Sequence, residues 1–112
     1  MLALAAPEDN IMTRDAVLSK ASECVSGGRQ DDYGSPENNF ARIAAMWTAY
    51  LNFKVHIEPH DVAAMMAAVK LSRIASGGHG KADNWIDLAG YAACGGELQS
   101  INDQVSNNVR AE

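Results

Sequence analysis

Two basic residues three apart, Lys70 and Arg73, share one face of a helical segment that is otherwise apolar. An ammonium and a planar guanidinium in that relation suit a phosphate group, since arginine offers a fork of donors and lysine a point charge. The same spacing also serves two side chains that reach solvent, or that pair with acids on a neighbouring helix. Asp83 and Asp87 stand four apart, again on one helix face. Two carboxylates so placed can share Mg²⁺, which is typically held by one or two carboxylates plus substrate phosphates. Alternatively Asp83 caps its helix and Asp87 is a partner of Lys70 or Arg73. Asp87 sits among Trp85, Ile86, Leu88 and Ala89, where a bare carboxylate is costly, so it requires a partner of some kind.

A third group is Asp31-Asp32-Tyr33-Gly34 with Glu37, Asn38 and Asn39, next to a helix start. Helix N-termini attract anions, so acidic and phosphate-binding roles compete there with a plain capped turn. The two asparagines offer amides for a base or ribose. His56, His60 and His79 show neither HxH nor HExxH spacing, which argues against zinc. There is no P-loop and no GxGxxG motif. Nothing in the order of residues assembles a nucleophilic triad.

The elements that must position these residues are helices. Ala16, Val17, Ala21, Cys24 and Val25 mark a first one, capped by Thr13 and stopped at Gly27-Gly28. Ser35-Pro36-Glu37 is a helix start. Phe40, Ile43, Ala44, Trp47, Tyr50 and Leu51 then form one apolar stripe. Pro59 opens a third helix marked by Val62, Met65, Met66, Val69 and Ile74, ending before Gly77-Gly78. Asp83 or its predecessor caps the last helix. There Trp85, Ile86, Leu88, Ala89, Ala92 and Ala93 spread round the circumference, the pattern of a helix buried on all sides. Its small residues let neighbouring helices approach closely. The expected fold is all-α, about four helices in a compact bundle forming a single domain over 1–112. Residues 1–11 and 103–112 are expected to be flexible.

The 112 residues, 47% hydrophobic and 21% charged, suffice for one core. The net charge of −5 argues against binding DNA or RNA through the phosphate backbone, which needs clustered Lys and Arg. It leaves room for a small anion held by two or three placed cations. No run approaches the ~20 apolar residues of a membrane span, and the start of the chain is a poor signal peptide. The cytoplasm of a bacterial host cell is the expected location. Cys24 and Cys94 are expected to be thiols rather than a disulfide.

Three pieces together carry a resemblance. They are Asp32-Tyr33-Gly34-x-Pro36-Glu37-Asn38-Asn39-Phe40, then Asp61-Val62-Ala63 through Lys70-x-x-Arg73, then Asp83-x-Trp85-Ile86-Asp87-x-x-Gly90-Tyr91-Ala92. This order, over roughly residues 29–98, resembles small phage and prophage proteins and the phage nucleotide-modification-associated domain. More distantly it is similar to MazG-like all-α nucleotide pyrophosphohydrolases. In that group ExxE and ExxD carboxylates on two helices bind Mg²⁺, which activates water to release pyrophosphate from a nucleoside triphosphate.

The resemblance implies a nucleotide ligand, with Lys70 and Arg73 on its phosphates and Tyr33, Asn38 and Asn39 on its base or sugar. It implies Asp87 and Glu37 as catalytic acids, Asp87, Asp83 and Glu37 as metal ligands, and a homo-oligomer, dimer or tetramer. The sequence departs from the pattern at Asn84, where the second motif has its Glu, and at Phe40, where the first has a second acid. The full four-carboxylate cage is therefore not visible. The alternative expectation is a non-catalytic sponge that sequesters a signalling nucleotide, linear or cyclic, of host anti-phage defence.

Overall fold

A computed structural model describes residues 11–26, 36–77 and 81–111. The described residues form four α-helices and no strand: α1 (Arg14–Ser26), α2 (Pro36–Tyr50), α3 (Pro59–Ala75) and α4 (Ala82–Ala111). The all-α expectation holds. The starts of three helices follow from local chemistry. Thr13 Oγ1 accepts the Ala16 N–H at 3.1 Å, as a cap of α1 should. Pro36 and Pro59 each occupy a first helical position, where the missing N–H has no cost. At α3 the Glu58 N–H also donates to Asp61 Oδ2 at 2.9 Å.

The end of α2 is a Schellman turn. The Phe53 N–H reaches Thr48 O at 3.0 Å and the Asn52 N–H reaches Ala49 O at 2.9 Å. Asn52 is left-handed with φ 57° and Phe53 follows with φ 62°, a less comfortable value for a residue with a large Cβ substituent. The connection is then latched to α2, because the Ile57 N–H donates to Thr48 Oγ1 at 2.9 Å. That bond explains why a threonine is buried in the stripe of α2. The stripe itself is Phe40, Ala44 and Thr48, with Ile43 and Trp47 at its edges. Tyr50, expected on it, is exposed.

α4 is the spine. α3 packs against it most extensively, α1 packs on it as well, and α2 packs on α3. The central core is Phe40, Ala44, Ile57, Val62, Ala63, Cys94 and Leu98. Close approach relies on small residues, as expected. A Cβ on Gly95 would lie 3.3 Å from that of Ala63 on α3, and one on Gly90 3.4 Å from Val25 on α1. Neither Cys24 nor Cys94 is in a disulfide.

Three expectations are corrected. α4 is not buried all round: it buries Asn84, Ile86, Gly90, Cys94 and Leu98, while Trp85 is 47% exposed and Ala92 and Ala93 face out. Alanine and glycine are read as apolar yet tolerate either side of a helix, so they mislead about circumference. Asp83 does not cap α4 but lies inside its first turn, since the helix begins at Ala82. α4 itself runs on as helix to Ala111, beyond Asn102. A helix already nucleated by packing propagates cheaply, and Gln99 Nε2 donates to Asp103 Oδ1 at 3.0 Å one turn on. Finally, in α3 Met65 and Val69, two of the apolar residues that mark that helix, are 45% and 42% exposed rather than buried. Residues 1–10 lie outside the described part.

Candidate functional site: a charged cleft on the last helix

Lys70, on α3, is nearly enclosed: its side chain keeps 12% of its accessible surface. An ammonium so placed needs an acid, and Asp87 on α4 supplies it, with Lys70 Nζ 2.9 Å from Asp87 Oδ2. The carboxylate is less buried, at 32%, and turns its remaining surface outwards. Of the two readings the sequence left open for Asp87, a partner for Lys70 is therefore realised.

The outward side of Asp87 helps to line an open cleft of about 550 Å³ between α1 and the first turns of α4. Asp83, one turn back on the same face, lines it too, with Ile86 as its apolar floor. α1 contributes Lys20, Glu23 and Cys24. Three carboxylates and an ammonium thus face one volume, with a second ammonium behind Asp87. Lys20 and Glu23 were not singled out from the sequence. Their only signal is the Lys20, Glu23, Cys24 spacing, which puts all three on one face of α1, and many solvated helices share it.

The helix register gathers the other predicted residues at this end of the bundle. Ala63 meets Gly95 and Lys70 meets Asp87, so α3 and α4 run antiparallel. Arg73 then stands one turn from Lys70, towards the start of α4. It is exposed, and no ion pair to it occurs among the described residues. The Phe40 and Tyr91 rings lie 6.3 Å apart, one turn along α4 from Asp87. This brings the first turn of α2 to the level of the Lys70–Asp87 pair. Asn38 is exposed there and Asn39 half-buried. The Glu37 backbone is in the same turn, but its side chain, Tyr33 and the Asp31-Asp32 loop lie outside the described residues. Asn84, at the position of the missing motif acid, is buried rather than turned to the cleft.

Among the described residues no three of His, Cys, Asp and Glu converge to hold a metal ion. Asp83 and Asp87 line the cleft together, but Asp87 is already engaged with Lys70. No helix of the described chain is long and apolar enough to cross a membrane.

The chain is 37% identical over 89 residues to the Gene 55 protein of Mycobacterium phage L5, covering 80% of this chain and 56% of that one. To the Gene 55 protein of Mycobacterium phage D29 it is 35% identical over 80 residues, covering 71% of this chain and 51% of the other. It therefore spans about half the length of the curated relatives it matches. No solved structure matches it. Residues 16–99 match a domain of unknown function, which takes in α1, α2, α3, both faces of the charged cleft and the packed half of α4, and the chain belongs to that family, DUF6378.

Proposed function

We propose that the cleft between α1 and α4 binds the phosphates of a nucleotide, in a MazG-like arrangement of helices that works as a homo-oligomer. The observation that carries this reading is the Lys70–Asp87 pair beside an open cleft that also holds Lys20, Glu23 and Asp83. A volume of that size lies in the range of small-ligand sites. Phosphate oxygens would take over part of Asp87's role towards Lys70. Arg73 has no ion pair among the described residues and stands one turn from Lys70, outside the lining of the cleft, where its planar fork would meet phosphates that extend past Asp87. The N-terminal turn of α2, with Asn38 and Asn39, adds the positive end of a helix dipole at the same level.

Mg²⁺ enters this reading with the nucleotide. Asp83 and the free side of Asp87 are two carboxylates, enough when phosphates complete the shell. Two carboxylates are not by themselves the cage of a resident metal. The departures from the four-carboxylate pattern at Phe40 and Asn84 favour a second reading over hydrolysis to monophosphate and pyrophosphate: retention of an intact, linear or cyclic, signalling nucleotide.

A thermal-shift screen against dNTPs, NTPs and cyclic or ADP-ribose-type nucleotides, with and without Mg²⁺, tests the proposal. A ligand at ~100 times its Kd adds about 2.7 kcal/mol, a shift of many degrees in a domain this small. Arg73→Ala removes the shift under both readings. Pyrophosphate release that is lost in Asp87→Asn identifies a hydrolase, recovery of intact ligand a sponge. No shift with any nucleotide refutes the proposal.

A further inference from the structure

α4 is 30 residues long, about 45 Å, and residues 103–109 in its last third are all exposed. Leu98 is its last buried residue, and it belongs to the same core cluster as Ile57, where the α2–α3 connection ends. Ile101, Val105 and Val109 continue the Leu98 stripe at steps of three and four, 44%, 55% and 63% exposed. The face that α4 presents to the α2–α3 hairpin thus runs on past the end of the hairpin. Phe53 and Val55, both exposed, stand at that end. Stripe and loop together make an apolar step, with α4 as the tread and the connection as the riser.

From this we infer that the step is closed by a second copy of this chain, the two α4 ends lying antiparallel about a two-fold axis at Val105. In that arrangement Val105 faces its own counterpart and Ile101 faces Val109 of the other copy. The tip of each α4 reaches the partner's loop at Phe53. Charge permits it: between Leu98 and Val109 the one charged residue is Asp103, and antiparallel pairing sets it opposite Asn107 rather than another Asp103. Parallel pairing would stack like charge on like. Area favours it as well. The five apolar residues expose roughly 500 Å² per copy, so a pair buries roughly 1,000 Å² before any polar rim, the lower bound of specific interfaces. The inference concerns assembly and holds whether or not the cleft takes a nucleotide.

The test is the mass of the chain in solution by light scattering on a sizing column, read beside cross-linking. The intact chain is expected at twice its 12.0 kDa. Val105→Glu halves that mass while keeping its circular dichroism spectrum, since Val105 is outside the core. Val105→Cys gives a disulfide-linked dimer under mild oxidation. Ile101→Cys does not, because antiparallel ends hold the two copies of residue 101 about 12 Å apart along the axis. The unsubstituted chain, with Cys24 and Cys94, is the control. A monomeric mass at high micromolar concentration overturns the inference and leaves the face to another occupant. A dimer that survives Val105→Glu overturns it too, as does efficient cross-linking at residue 101.

Discussion

An ammonium that has lost most of its water must find a carboxylate, and Lys70 finds one across the α3–α4 boundary. Removing Asp87 strands that charge, so Asp87→Ala should cost about 2 kcal/mol in urea unfolding. This is below the ~3–5 kcal/mol of a fully buried pair, because the carboxylate is a third exposed. Replacing both partners, as Lys70→Met with Asp87→Leu, should recover most of that loss. A double variant as unstable as the single one would show that the pair does more than neutralise Lys70. Thr48 is a second such residue. Its hydroxyl accepts the Ile57 N–H in a buried setting, so Thr48→Val should cost about 1–3 kcal/mol by leaving that donor unpaired. An unchanged denaturation midpoint would contradict the latch.

Helix by helix, the sequence was readable where a local rule operates and opaque where only tertiary contact decides. Thr13, Pro36 and Pro59 mark helix starts through caps and fixed φ, and Phe40, Ile43, Ala44 and Trp47 follow from their spacing, whereas the buried Thr48 was missed and Tyr50 and Leu51, expected on the same stripe, are exposed. The pairing of Lys70 with Asp87 was legible as one of two options, since an acid among apolar residues requires a partner. The contribution of α1 was not legible, because Lys20 and Glu23 look like any solvated helix face. The sidedness of α4 was hidden by its alanines and glycines.

Two adjacent glycines now separate packing from propensity. Gly96 has nothing within 4 Å of a would-be Cβ, so Gly96→Ala should stabilise by ~0.5–1 kcal/mol. Gly95 would press on Ala63, whose methyl is fully buried and tied to its own helix, so Gly95→Ala should bring no such gain and destabilise instead. Thermal melts of the two variants, compared at one concentration, decide it. Equal stabilisation by both would mean that α3 and α4 leave room for a methyl group between Gly95 and Ala63.

At the scale of the whole molecule, the core is thin and the apolar surface generous. Among the described residues Val62 is the largest side chain that is fully buried, whereas Met46, Tyr50, Phe53, Val55 and the apolar residues towards the end of α4 are exposed. The polar cleft lies at the opposite end of the bundle from the apolar surface inferred to pair with a second copy. Ligand and partner therefore act on separate regions, and Val105→Glu should leave nucleotide affinity within about twofold while changing the mass. The measurement that bears most directly on the cleft is a backbone amide NMR titration with the nucleotide giving the largest thermal shift. Saturable shifts are predicted at Glu23, Cys24, Arg73, Ile86 and Asp87, with Val105 and Val109 unmoved. Perturbation centred elsewhere, or none at millimolar nucleotide with Mg²⁺ present, would contradict the assignment of the cleft as a phosphate site.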